Sequence, residues 1–557
     1  EDVQRVADRD LIITSVWGYV PDMPWNGGFG HVQIPRDQHD EILRILGRRF
    51  LGYEMGEQDG RYIGSVAPRY RPANRREAKK LFDSWHQRII DNFYGRMIAL
   101  ASLNFLHDYA RLGHRMLGIE ASQGLPSDIM EWAFIRGACK QWGALSWNCI
   151  SVFNRWGYKS YTSTGADHGP DKGPTVELLK RLWYVTYMYG SAINMFESSY
   201  FLGEKDEEGF PQLSPIGQCH VDAVRWARDH SDRGVAYTPV AFMLDRDSGW
   251  VPPRHLYTGK RYLVWGNLPY SRADCATDAF FRLVWPKYED CSYYEDERGF
   301  LTATPYGDLF DVILSDAPAE CLSRYQAIVM IGVVVPLGEG LGKRVAQFVA
   351  GGGEILCDAS IAAGFGPELT GVEVGTERRA AQRSVSLSTG EVLEEEPYTY
   401  LVVRPRGAQA LLLSEHGDGL VWQRRSGRGR VVVCCVPSYV SAETEDPQEG
   451  VDVPLRHKLL RGFVEVLRPY LKSLGLVKVV GSPVGYLCNV GRDPNRLLVT
   501  LFNNAHQPAT VEVTAQLGEI TSQRPWLGSA TLRDGKVCLE IAPLDVAIAE
   551  LRLRPRG

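Results

Sequence analysis

Phe50-Leu51-Gly52-Tyr53-Glu54-Met55-Gly56-Glu57 is an apolar run that ends in a carboxylate, and the first 230 residues repeat its outline twice. Met116–Glu120 reads MLGIE and Ile193–Glu197 reads INMFE. Short runs of this kind, rich in aliphatic and aromatic residues, read as buried strands. Outward from them, strands are expected at Leu11–Val16, Phe50–Gly56, Met97–Asn104, Met116–Ala121, Ala144–Phe153 and Ala192–Phe201. The stretches between carry helical spacing at Gln38–Gly47, Arg75–Asn92, Asp128–Trp142 and Thr175–Tyr189. The last of these shows Leu178, Leu179, Leu182, Trp183, Thr186 and Tyr187 at steps of three and four, a wide apolar stripe. Strands alternating with helices predict parallel βα units. The chain is therefore expected to be α/β, with residues 1–232 forming a (β/α)8 barrel of the TIM type. Six strands are visible where closure needs eight, so one or two N-terminal strands are expected to be missing or hidden in irregular sequence.

Near residue 232 the pattern changes. Thr238–Asp245 (TPVAFMLD) is a buried strand that runs into Asp247-Ser248-Gly249-Trp250. Strands Phe310–Leu314, Ala327–Val335 and Glu354–Asp358 then alternate with helices Cys275–Val284, Glu320–Tyr325 and Gly340–Ala350. The pattern resumes at Arg430–Val436 after a β-rich excursion and ends in a helix at His457–Leu474. This predicts a Rossmann-like, doubly wound α/β region over residues 233–477. Arg424–Arg430, within the excursion, reads as a solvated hairpin. From 478 to 557 the helices stop. Strands at Leu497–Asn503, Ala509–Thr514, Ala530–Leu532 and Ala547–Leu553 predict a small β-sandwich.

The bulk figures exclude several classes. A net charge of -5 over 557 residues gives no electrostatic case for nucleic acid or an anionic membrane. The longest apolar run, Ala327–Leu337, is too short to span a bilayer. The eleven cysteines are dispersed without metal spacing and read as buried thiols, Cys434 and Cys435 being adjacent inside a strand. The sequence starts at Glu1 without the pattern of a signal peptide, so a segment has been removed or the numbering follows a mature chain. The compartment stays open between secreted and cytoplasmic.

Polar residues at the carboxyl ends of barrel strands are the informative ones, because catalytic groups of such barrels project there. Glu54, Glu57, Glu120 and Glu197 end three apolar strands, where an unneeded carboxylate is costly to bury. Paired carboxylates are the equipment of glycoside hydrolysis: one protonates the leaving oxygen, the other attacks the sugar or activates water. Each has a plainer reading. Glu54 fits a structural tie to Arg61, Glu57 a turn cap, Glu120 an ion pair with His114 or an arginine, and Glu197 a polar strand end beside Tyr200. Asn104, Trp147, Asn148, Tyr200 and Trp17 are candidate sugar-binding residues, since amides read hydroxyl pairs and indole faces stack on pyranose rings. Trp25 and Trp156 are further candidate platforms. Asp167, His168 and Asp171 read as a solvated loop rather than a metal site, and no cofactor is expected. The glycines at 332, 338, 340 and 342 lack a P-loop lysine and a nucleophile elbow, which argues against nucleotide-binding and amidotransferase chemistry.

In combination these features resemble the family 42 glycoside hydrolases. The likeness is carried by Asp232-Arg233-Gly234 through Thr238-Pro239-Val240-Ala241, by Asp245, and by Asp247-Ser248-Gly249-Trp250. It continues through Tyr325–Asp358, with Gly351-Gly352-Gly353 before a strand, and Gly485–Asn504. The resemblance implies a catalytic barrel, a Rossmann-like trimerisation domain and a terminal sandwich. It also implies β-linked galactosides or mannosides as substrates, retention of configuration, and a homo-oligomer (trimer or dimer). That clan places its acid/base after an Asn at strand four and its nucleophile at strand seven. No Asn-Glu pair occurs in the barrel here. With two strands preceding, Glu54 or Glu57 matches the acid/base and Glu197 is nearest to the nucleophile, Glu120 being a third carboxylate or the true partner. The rival reading is a glycosidase-like protein that binds carbohydrate or builds an assembly without hydrolysis.

Overall fold

The computed structural model describes residues 2–9, 12–16, 34–101, 104–121, 128–150, 175–196, 202–252, 263–286, 288, 301–441 and 457–555. Six parallel strands pair in chain order: β1 (Ile13–Val16), β2 (Phe50–Glu57), β3 (Met97–Ala101), β4 (Met116–Ala121), β5 (Leu145–Ile150) and β6 (Ile193–Phe196). Among the described residues β1 and β6 are not paired, so a curled six-stranded sheet stands where a closed ring of eight was expected. Every residue of β3 is buried, as in a strand covered on both faces.

Helices α1 (Arg36–Leu46), α2 (Arg75–Asn92), α3 (Leu106–Arg111), α4 (Asp128–Trp142), α5 (Val176–Tyr189) and α6 (Pro215–Asp229) follow successive strands. Their starts are written locally. Asn74 accepts from the Glu77 amide at 3.0 Å while the Glu77 carboxylate accepts from the Ala73 amide at 2.7 Å. The Thr175 and Ser214 hydroxyls cap α5 and α6 by accepting from the Leu178 and Gly217 amides, at 3.1 and 3.0 Å. Alternation splits the strands: Ala99, Ala101, Leu117, Ile119 and Ile150 join the helices' core, whereas Ile98, Leu100, Trp147 and Cys149 form a separate cluster on the opposite face.

A hairpin of β7 (Leu202–Lys205) and β8 (Pro211–Leu213) precedes α6. Next, β9 (Val235–Ala236) adds an edge to the C-terminal sheet rather than to its chain neighbours. The second sheet begins with β10 (Val240–Leu244), β11 (Phe310–Leu314), β12 (Ala327–Gly332) and β13 (Glu354–Asp358), with helices α7 (Arg272–Val284) and α8 (Leu341–Ala350) between them. An antiparallel excursion follows: β14 (Val372–Ser386), β15 (Val392–Pro405), β16 (Gln409–Ser414) and β17 (Gly419–Ser426). It returns to the parallel strand β18 (Gly429–Cys434), and helix α9 (Arg461–Ser473) comes after it. Taken in chain order, the parallel strands lie second, first, third, fourth, fifth, one of the two common doubly wound arrangements. Arg424–Arg430 spans the β17–β18 hairpin.

The two sheets are joined through α4. Residues 128–138 of this helix are all buried. A Cβ at Gly137 would lie 1.7 Å from the Val312 carbonyl oxygen, so α4 presses its backbone against the edge strand β11. The open hydrogen-bonding groups of that edge find side-chain partners: Arg136 donates to the Phe310 carbonyl at 2.7 Å, and Gln141 accepts from the Leu314 amide at 2.9 Å. The His107 ring lies 2.8 Å from the Val312 carbonyl. Asp311 receives Arg136 at 2.9 Å and Lys140 at 2.6 Å. Burial would raise its pKa, but the two cations outweigh burial and hold it below the ordinary value. An edge that would otherwise invite another strand is thus sealed.

Residues from Val477 onward form two stacked antiparallel sheets with their own core, including Val499, Leu501, Val511 and Leu539. Asn489 and Arg496 tie this unit to α5 and to the segment after α6, through the Met188 carbonyl at 2.7 Å and Asp232 at 2.9 Å. Among the described residues no helix is long and apolar enough to cross a membrane.

Buried His86 of α2 and His114 before β4 share a ring contact, Nε2 to Nε2, at 2.8 Å. Burial, aided by the neighbouring His114 and Arg111, drives His86 well below its usual pKa, and burial takes His114 down to about 4. A histidine whose folded pKa is depressed binds protons more readily when unfolded, so stability is full above 6.5 and falls as pH drops from 6.5 toward 4. His114 alone is expected to remove about 3 kcal/mol by pH 4. Urea midpoints across that range check this, and His114→Asn is expected to flatten the slope.

Candidate active site

On an ideal strand residues 54 and 57 would face opposite sides, because side chains alternate. The pairing of β2 with β3 shows why they do not: Glu54 lies opposite Ile98 and Glu57 opposite Leu100, three steps on one strand against two on the other. This bulge is allowed by Gly56, which sits at φ 67. Ile98 and Leu100 belong to the face turned away from the helices, so both carboxylates point there. Glu120 joins them, since it pairs with Cys149 of that same face. Three of the four acids expected from the sequence therefore share the concave side at the carboxyl ends of β2 and β4. Glu197 lies outside the described residues, as do Trp17, Tyr200, Trp25, Trp156, Asp167, His168 and Asp171.

Below the acids is an apolar floor. The Trp147 indole lies across Gly118, where a Cβ would come within 2.3 Å of the ring, and donates to the Ala99 carbonyl at 2.8 Å. Ile98, Leu100 and Cys149 pack beside it. Trp147, 2% exposed, is thus buried packing and not an open stacking platform. Asn148 turns to the helix side, where its amide donates to Thr186 at 3.2 Å. Asn104 turns toward the second sheet and lines a cavity of about 20 Å³ with His107, Phe134, Leu244 and Trp250. These two amides are therefore not brought to the acids.

The acids differ in setting. Glu54 is buried and accepts from the Gly56 amide at 2.5 Å, a contact that steadies the bulge. Glu57 is half-buried at the head of the short helix Gln58–Arg61, yet makes no capping bond, and its Oε1 has no hydrogen-bond partner among the described residues. Glu120 is 5% exposed, and His114, a partner considered for it, is engaged with His86 instead. Glu131, in the first turn of α4, went unnoticed in the sequence. It is 1% exposed, with Oε2 unpartnered among the described residues. Burial, then Asp128, Asp59 and Glu57, push its pKa well above the ordinary carboxyl value, which favours the protonated form. Only its place in a helix following a strand that ends in Glu could have flagged it.

Gly56→Val is expected to collapse the bulge, since a β-branched residue resists positive φ. A stability loss of about 2 kcal/mol by urea unfolding is expected, with Glu57 turned from the concave face, while Gly56→Asn is tolerated.

Among the described residues no cluster of His, Cys, Asp or Glu could hold a metal ion. The crevice at the carboxyl ends of β10 and β12, where a doubly wound sheet takes ligands, is filled from α2. Arg75 reaches Asp274 and the Ser248 carbonyl at 3.1 Å, and Lys79 lies 3.4 Å from Asp108 and 3.7 Å from Asp247.

No known family description matches the sequence, and no curated protein matches it. Solved structures do. A family 42 β-galactosidase from G. stearothermophilus aligns over 99% of this chain and 86% of its own, with TM-score 0.55 and 10% identity. The β-galactosidase of Bacillus circulans sp. alkalophilus aligns over 86% and 67%, with TM-score 0.52 and 12% identity. The enzyme of Halorubrum lacusprofundi aligns over 99% and 87%, with TM-score 0.50 and 13% identity. At such identities the likeness is one of fold: a curled parallel sheet with helices and a strand-rich C-terminal region, arranged as in glycoside hydrolases.

Proposed function

We propose that this chain is an O-glycoside hydrolase acting on β-linked sugars of the galactoside or mannoside type. The observation that carries the reading is the convergence of Glu57 and Glu120 on one concave face at the carboxyl ends of parallel strands. Glu57, which the family likeness sets at the acid/base position, takes the role of the general acid that protonates the departing oxygen. Glu120 suits the carboxylate that attacks the sugar or activates water. A carboxylate separation of about 5–5.5 Å would go with retention, and roughly 6.5–9.5 Å with inversion.

The test is hydrolysis of a panel of 4-nitrophenyl β-galactoside, β-mannoside and β-glucoside by the full chain, with the anomer of the first product followed by NMR. Release of nitrophenol from at least one member is expected. Among the described residues the six-stranded sheet does not close into a ring, which favours one rival, a carbohydrate-binding protein without turnover. Calorimetric binding of the same sugars with no release would replace the hydrolase reading by that one.

A further inference from the structure

A parallel sheet ordinarily buries both faces under helices. On the face of the second sheet that bears Phe242, Val329, Leu356 and Val432, α7 and α9 supply that cover. They meet where the Phe280 and Phe463 rings stand edge to face, 5.8 Å apart. Beyond that contact lies a cavity of about 490 Å³. Its origin is topological: the chain passes from β13 through two short helices, Ala359–Phe365 and Pro367–Thr370, and then through the antiparallel excursion before it reaches β18. Strands β16 and β17 then bring Gln409 and Gln423 to its rim. Pro469 of α9 also lines it, and its ring lacks the N–H that would bond the Glu465 carbonyl one turn back.

The lining fixes the chemistry of an occupant. Val329, Leu356, Val432, Val284 and Val466 give it an apolar floor and walls. The charged groups at its side are already matched: Arg430 donates to Glu354 at 2.6 Å and its guanidinium lies 4.6 Å from the centre of the Tyr470 ring, while Glu465 accepts from Arg468 at 3.0 Å. What remains at the rim is amide hydrogen bonding. We propose that this cavity binds a small neutral amphiphile, its aliphatic or aromatic body against Val329, Leu356 and Val466 and its uncharged hydroxyl or amide head at Gln409 and Gln423. The size and the mostly apolar lining with few polar groups are those of small-molecule sites. The site is separate from the concave face of the first sheet, so it stands or falls independently of the hydrolase reading.

The experiment titrates the full chain with the neutral fluorophore N-phenyl-1-naphthylamine, then displaces it with 1-decanol or with decanoate. Saturable binding of one equivalent is expected, with 1-decanol displacing the dye at a lower concentration than decanoate. Val466→Trp, which fills a half-buried position of the wall, is expected to weaken dye binding at least tenfold with an unchanged melting temperature. Gln423→Leu guards against a filling variant that fails to fold: it is expected to keep the dye and to weaken displacement by 1-decanol severalfold. Absence of saturable binding, wild-type affinity in a folded Val466→Trp protein, or preference for decanoate would each overturn the proposal.

Discussion

Glu57→Gln and Glu120→Gln are each expected to lower kcat for β-glycoside hydrolysis on the order of 10³-fold, the scale on which acid–base and nucleophilic groups act. Gln keeps the shape and hydrogen-bonding reach of Glu while removing its proton and its charge. Melting temperatures of both variants are therefore expected to stay within a few degrees of the parent, so lost turnover is a chemical effect. The two should differ in pH dependence. Without an acid at position 57 the alkaline limb of the rate profile disappears, whereas Glu120→Gln removes the acidic limb. Glu54→Gln is a control of another kind, since Glu54 holds the Gly56 amide; a loss of about tenfold is expected from a loosened bulge. Turnover that survives in both the Glu57 and Glu120 variants would remove the proposed pair.

Gly137→Ala is expected to destabilise the protein by about 4 kcal/mol, although helix propensity alone would stabilise it by about 1 kcal/mol. The sign is decided by contact: the added carbon would stand 1.7 Å from the Val312 carbonyl oxygen, far inside any tolerable separation. Relief requires α4 and β11 to part. Separation would strain the bonds from Arg136 to the Phe310 carbonyl and from the Leu314 amide to Gln141, leaving buried groups without partners. Asp311, which is fully buried, would lose part of its two cations. Equilibrium unfolding in urea measures the outcome, and a midpoint at or above that of the parent would contradict this account of the interface.

The strands of the first sheet were legible because apolar runs bounded by helical spacing leave little choice of structure; Met116–Ala121 and Arg75–Asn92 fall where the residues put them. Direction within a strand was harder. In Trp147-Asn148 the neighbours must face opposite ways, so the pair could never serve one site together; alternation alone carried that information. Glu54 and Glu57 posed the reverse case, where alternation misleads and only the bulge at Gly56 restores a common face. Glu131 stayed hidden because an acid in the first turn of a helix is ordinary, favoured by the helix dipole wherever the turn is exposed. Its burial depends on how α4 lies between two sheets, a long-range fact. Gly137 was invisible for the same reason, since a glycine in a helix shows its purpose only when the neighbouring backbone is known.

The sealing of β11 by α4 bears on how such a protein can be divided. The sequence invites a cut near residue 232, as if the parts were modules to be shuffled. Yet a fragment beginning there would present the bare rim of β11 with Asp308 and Asp311 stripped of Arg136, an invitation to fibrous or swapped assemblies. A cut at that point has to carry α4 along if the rim of β11 is to stay covered.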